Sequence, residues 1–208
     1  VRQIVRDELA VDPLDAAGPL LGCVLEASTS DGLVRVRLTE VEAYRGADDP
    51  ASHCYRGRTA RNAVMFGPAG FLYVYFVYGM HFCANVVCLT DGEPGALLVR
   101  AGEVSEGVEL ARRRRPASRG DADLARGPAR LTAALGIGRE HDGVDLTDPG
   151  SPIRLLAGEP VAAGDIESGP RVGVAAAKDE PWRFWIKDSP SVSTYRRGGK
   201  RNRSRTST

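Results

Sequence analysis

Two charged residues stand where strand-like stretches of the chain are otherwise apolar. Glu42 lies between Val41 and Ala43 in a run that alternates apolar and charged residues from Leu33 to Tyr44, and Arg100 closes the apolar run Ala96-Leu97-Leu98-Val99. Burial disfavours the charged form of a carboxylate and so suits it to take a proton. A buried arginine must be paired, and Glu42 is a fitting partner. On position alone, a salt-bridged edge glutamate is the commoner use of such a residue.

Aromatic residues make up only 6% of the chain, yet Tyr73, Tyr75 and Tyr78 fall in one short run, and Tyr44 follows Glu42 by two positions. Residues two apart on a strand share a face, so Tyr73 pairs with Tyr75 and Tyr44 with Glu42. Flat aromatic walls beside a carboxylate suit a planar ligand such as a nucleobase. The bland alternative is a tyrosine-rich core. Tyr78 resists it, because it adjoins Gly79 at an expected hairpin tip, where an aromatic is normally exposed. There Tyr78 and Met80 form a wedge able to enter a base stack.

Other chemistries find less support. His53 and His81 are two of only three histidines and have no third ligand at metal-binding spacing, so no metal is expected. The phosphate-cradling and nucleophile-elbow glycine motifs are absent, and no cofactor is called for. Three lysines, Lys178, Lys187 and Lys200, leave little for Schiff-base chemistry. The four cysteines, Cys23, Cys54, Cys83 and Cys88, sit mostly in apolar runs without a CxxC pair, as reduced buried thiols do.

The elements that must position these groups are readable in outline. Leu33 to Tyr44 reads as a long strand, and Arg45 to Arg61 as a polar loop of a length usually tied to function. Phe71 to Tyr78 and His81 to Leu89 read as a hairpin turning near Gly79. Gly95 to Ala101 is a short buried strand. A helical pattern begins at Val104 and stops at Pro116, and Pro128 to Leu135 is a second helix closed by Gly136. Ile153–Leu156, Arg171–Val174 and Phe184–Ile186 read as short strands. The sum is an α+β single domain over 1–195, with a mostly antiparallel curved sheet, flanking helices and a protruding hairpin. Residues 196–208 are expected to be a disordered basic tail.

Length and charge bound the partners. A chain of 208 residues with 42% hydrophobic content supports one proper core. The start carries no apolar leader and no stretch reaches the ~20 apolar residues of a spanning helix, so a soluble, cytoplasmic protein is expected. The net charge of +1 includes six basic residues after Tyr195, so the body is net acidic and any nucleic-acid face must be local. Two patches qualify: Arg56, Arg58 and Arg61, and the run Arg112 to Arg115 continuing to Arg119, Arg126 and Arg130. A solvated helix face is an equally good account of the second.

The order Glu40-Val41-Glu42-Ala43-Tyr44, His53, Arg61-Asn62, Met65-Phe66, Tyr73-Val74-Tyr75, Tyr78-Gly79-Met80, Asn85, Leu97-Leu98-Val99-Arg100, Gly127-Pro128, Leu131, Arg171-Val172-Gly173-Val174, Phe184 and Ser189-Pro190 resembles the alkyladenine (3-methyladenine) DNA glycosylases of the mammalian type, which also occur in bacteria. The resemblance spans roughly residues 18–195. It implies a base-excision-repair enzyme that acts on double-stranded DNA containing damaged purines, as a monomer, without cofactor, in the cytoplasm at the nucleoid. It implies that Glu42 activates the attacking water, that Arg100 helps hold this water, and that the carbonyl of Val172 is its third contact. Tyr44 would stack on one face of the flipped base, with His53 and Tyr75 against the other. Tyr78, with Met80, would fill the gap in the duplex. Asn85 would crowd the 2-amino group of guanine, and Gly127 and Arg130 would meet the DNA backbone. His81 departs from the tyrosine expected there, and the loop from Arg56 to Arg61 is shorter than in the mammalian proteins. A non-catalytic damaged-DNA-binding module is the alternative reading.

Overall fold

The computed structural model describes residues 2–77 and 79–198. Within them, β1 (Val24–Thr29), β2 (Gly32–Tyr44), β3 (Leu72–Val77), β4 (His81–Val87), β5 (Ala96–Glu106), β6 (Ala125–Arg126), β7 (Ile153–Leu156), β8 (Ile166–Gly169) and β9 (Arg183–Ile186) form one open sheet. Its main path runs β3-β4-β5-β2-β1-β7, with β6 on β5, β9 on β2 and β8 on β9. Every pairing is antiparallel. Three helices join it: α1 (Pro13–Leu20), α2 (Val108–Arg114) and α3 (Pro128–Leu135). The α+β reading of the sequence therefore holds.

Local chemistry sets the helix ends. Asp12 caps α1, its carboxylate accepting the Leu14 N–H at 2.9 Å, and Pro13 fills the first position, where no N–H is needed. Gly136, at φ +74°, ends α3 in the left-handed conformation that glycine adopts without steric cost. The core lies on one sheet face, where Val34, Val36, Leu38, Val41, Leu97 and Val99 meet Leu131 and Leu135 of α3 and Leu20 of α1.

The hairpin forms where expected, with Val77 opposite His81 and Gly79 at φ +71° in the turn. Two expectations fail. The strand through Arg100 does not end there but continues to Glu106, and α2 begins only at Val108. Arg171–Val174 is not a strand but an irregular segment, because its groups bond to Asp49 and Glu42 side chains instead of to a neighbouring strand. The strand expected at Phe184–Ile186 is present as β9, which pairs with Glu40–Glu42 of β2. The described part of the proposed basic tail is residues 196–198; the rest lies outside the described residues.

Two bulges place the site. Leu38 pairs with Gly102, Glu40 with Ala101 and Val41 with Val99, so Thr39 on β2 and Arg100 on β5 are each an extra residue. A bulge resets the in-out alternation beyond it. On β2 the core positions accordingly step from Val34, Val36 and Leu38 to Val41 and Ala43. Glu40, Glu42 and Tyr44 are thereby turned to the opposite face, together with Arg100.

Candidate active site

Glu42 is fully buried and accepts three hydrogen bonds. The Val172 backbone N–H donates to Oε1 at 2.6 Å, and the Tyr44 hydroxyl and Arg100 Nη1 donate to Oε2 at 3.0 and 3.3 Å. The Glu42–Arg100 pair expected from the sequence is thus formed. Val172 meets Glu42 through its amide. Burial and then the Glu42 charge hold the Tyr44 phenol well above its ordinary range, so it stays a donor. Burial opposes the Arg100 charge, but Glu42 and Glu40 outweigh it and keep the guanidinium protonated.

Beside this carboxylate opens a cavity of about 390 Å³ whose walls include Tyr44, Val172, His53, Tyr75 and Asn85. The polar loop supplies His53, whose ring stands edge-on to Tyr75 at 4.6 Å between centroids and whose Nδ1 lies 3.1 Å from the Tyr73 hydroxyl. Tyr73 and Tyr75 stack at 5.5 Å, sharing a face of β3 as the alternation requires. Desolvation and then the nearby Arg61 lower the His53 pKa, favouring the neutral imidazole. Asn85 is buried, and its Nδ2 donates to the Tyr73 carbonyl at 3.2 Å, which fixes the amide in the wall.

Sequence reasoning missed the groups that hold these walls. Asn62 donates to the carbonyls of His53 and Gly57 at 2.9 and 3.0 Å and shapes the polar loop. Arg171 and Asp49 form a fully buried bidentate pair, and Arg171 also donates to the Ala43 carbonyl at 2.9 Å. Glu40, two residues before Glu42 on the same face, binds Arg100, Arg183 and Ser193. The signal for Glu40 was present, since the run carries two carboxylates at strand spacing.

A second hollow, about 330 Å³, shares Val172 with the first and is lined also by Arg100, Arg126, Gly127, Arg130 and Ser193. Gly127 and Arg130 thus lie close to Glu42 in space, although Arg130 is paired with Asp123. The arginine run is largely engaged at home. Arg112 pairs with Asp121 and Glu109, Arg114 donates to the Ala134 carbonyl, and Arg115 to the Leu124 carbonyl. That favours the helix-face reading for this run. Arg56, Arg58 and Arg61 are exposed, and Arg61 lines the cavity, 5.8 Å over the Tyr75 ring. At the hairpin tip Met80 is 70% exposed; Tyr78 lies outside the described residues.

The model of the methylpurine-DNA glycosylase family matches residues 7–190. The chain belongs to this family. Among its relatives, proteins named as 3-methyladenine DNA glycosylases, one from Nocardia farcinica is 56% identical over 196 residues, covering 92% of this chain and 91% of its own. One from Streptomyces avermitilis is 53% identical over 195 residues, covering 93% and 92%, and one from Mycobacterium tuberculosis 48% over 199 residues, covering 93% and 95%. Membership makes the chain a DNA glycosylase, a hydrolase of N-glycosyl bonds. Among the described residues no helix is long and apolar enough to cross a membrane.

Proposed function

We propose that this glycosylase swings a damaged purine out of double-stranded DNA into the cavity between Tyr44 and the His53–Tyr75 wall, and that Glu42 draws a proton from the attacking water. The water oxygen bonds to the anomeric carbon as the carbon–nitrogen bond breaks. The base leaves with the electron pair and the strand keeps an abasic sugar. The observation that carries this is the placement of Glu42, a buried carboxylate bonded to both Tyr44 and Val172, which themselves line the cavity.

The physics agrees with each role. Bond cleavage builds positive charge on the sugar, and a fixed carboxylate stabilises it while orienting the water. Purines alkylated on the ring carry a positive charge, depart readily and are drawn to aromatic faces. Damaged or mispaired bases cost less to unstack, which adds selectivity before any contact is made. Arg100 and the Val172 carbonyl complete the water site, Asn85 disfavours guanine, Tyr78 and Met80 occupy the gap left in the stack, and Gly127 and Arg130 meet the backbone. The protein acts as a monomer without cofactor, on nucleoid DNA in the cytoplasm, through one domain over 1–195 followed by a basic tail.

Single-turnover excision from duplexes carrying one hypoxanthine or one 3-methyladenine tests the reading. Wild type should leave an abasic site, and Glu42→Gln should be slower by ~10²-fold or more. Tight binding of the lesion with no base released would instead support a non-catalytic recognition module.

A further inference from the structure

Glu40 is as buried as Glu42, but where Glu42 bonds to the cavity-lining Tyr44 and Val172, Glu40 bonds to neither. Its Oε1 accepts Arg100 Nε at 3.0 Å, Arg183 Nη1 at 3.1 Å and the Ser193 hydroxyl at 2.9 Å, while Oε2 accepts the Ser193 N–H at 2.7 Å. Ser193 Oγ in turn receives Arg100 Nη2 at 3.3 Å. Every nitrogen of the Arg100 guanidinium is therefore assigned: Nε to Glu40, Nη2 to Ser193, and Nη1 alone to Glu42.

This division of donors has a chemical consequence. An arginine left to itself beside one carboxylate forms a two-pronged pair with it. Such a pair would occupy both Glu42 oxygens and compete with a water for the carboxylate. Here the Nε edge is claimed by a second carboxylate, and Glu42 receives one long contact. The bulge at Arg100 and the strand spacing of Glu40 and Glu42 produce this arrangement from backbone geometry.

We propose that Glu40 is a positioning residue for catalysis: it holds Arg100, with Ser193, so that the guanidinium presents a single edge to Glu42 and leaves that carboxylate open to the water. Ser193 lies in the segment following β9, so the same carboxylate also ties that segment to Arg100. The inference rests on Glu42 acting as the base. Glu40 works through Arg100 and touches neither base nor sugar.

The test is a double-mutant cycle on the full chain. Single-turnover excision of hypoxanthine and affinity for an abasic-site duplex are measured for wild type, Glu40→Gln, Arg100→Lys and the double variant, with Glu42→Gln alongside. Glu40→Gln should slow excision by about 10²-fold, the effect of a misplaced catalytic geometry, while leaving duplex affinity within about twofold. The double variant should be no slower than Arg100→Lys alone, since one cannot misplace an arginine already replaced. Ser193→Ala, a milder change that removes only the hydroxyl bridge, should slow excision by several-fold at unchanged affinity, and serves if Glu40→Gln does not fold. Equal loss of rate and affinity, effects of Glu40 and Arg100 that multiply, or a Ser193→Ala enzyme as fast as wild type would overturn the proposal. Full activity of Glu42→Gln would instead remove the reading beneath it.

Discussion

The guanidinium of Arg171 lies 4.6 Å from the centre of the Tyr44 ring, and Trp182 faces it at 4.9 Å. Arg171 is thus a charged layer between two aromatics, neutralised by Asp49, directly before the Val172 amide that bonds to Glu42. One buried ion pair ties the polar loop to the segment opposite it, and backs the tyrosine that forms a cavity wall. Removing one partner leaves the other charged and dry. Asp49→Ala should therefore cost about 3–5 kcal/mol in denaturant unfolding. A loss below about 1 kcal/mol would show the pair to be solvated.

Tyr44 does two things that one atom separates. Tyr44→Phe keeps the ring and deletes only the hydroxyl donor to Glu42. Excision should slow by about tenfold, the worth of a hydrogen bond to a charged group, with lesion affinity little changed. Tyr44→Ala should lose both rate and affinity. Equal behaviour of the two variants would mean that the hydroxyl has no separate role.

His53 should tune lesion choice with pH. Its lowered pKa means that the folded protein keeps the ring neutral at neutral pH and resists protonation below the ordinary histidine range. The sign follows: protonation opposes the folded arrangement, so this contribution is present above that range and is lost as the pH falls through it. A protonated ring would also repel a cationic base. Excision of 7-methylguanine should fall more steeply than that of hypoxanthine as the pH drops below the ordinary histidine range, and His53→Gln should make the two profiles parallel. Profiles already parallel in wild type would remove His53 from this role.

The hairpin wedge predicts a substrate contrast. Tyr78→Ser and Met80→Ser should impair excision from duplex far more than from single strands, because only a stacked duplex has a gap to fill. Equal losses on both would leave the wedge without a function.

The tail carries its own measurable signature. Truncation after Tyr195 should flatten the dependence of duplex affinity on salt, since each lysine or arginine meeting a phosphate releases counterions. An unchanged slope would assign the tail no part in binding.

The sequence foretold those features that depend on neighbours in the chain. The β2 strand follows from alternation, the hairpin from its apolar runs around Gly79, and α3 from Pro128 and Gly136. The tyrosine cluster and the Glu42–Arg100 pair were visible as residue types out of keeping with their surroundings. What stayed hidden depends on distant partners. Arg171 lies 122 positions from Asp49, and Ser193 lies 153 from Glu40, and no local pattern announces either. Helix α1, with its two alanines, glycine and two prolines, carries a weak periodic signal and is held by its cap and by packing. The segment Arg171–Val174 looks like a strand by composition, but its groups are satisfied by side chains. The bulge at Thr39 did leave a trace, in the step of apolar positions from Leu38 to Val41.

The Thr39 and Arg100 bulges cancel one another, so the β2–β5 ladder keeps the same register on either side of the Glu40–Ala101 pair. Loss of Thr39 alone would slide every residue beyond it by one place against β5. The slip is repaired by losing one residue from β5 as well, and the supernumerary residue there is Arg100 itself. Around Glu40, an uninterrupted ladder and the Glu42–Arg100 pair are thus alternatives in this protein. Next to Glu42, these two strands can shed their extra residues only by giving up the arginine that binds it.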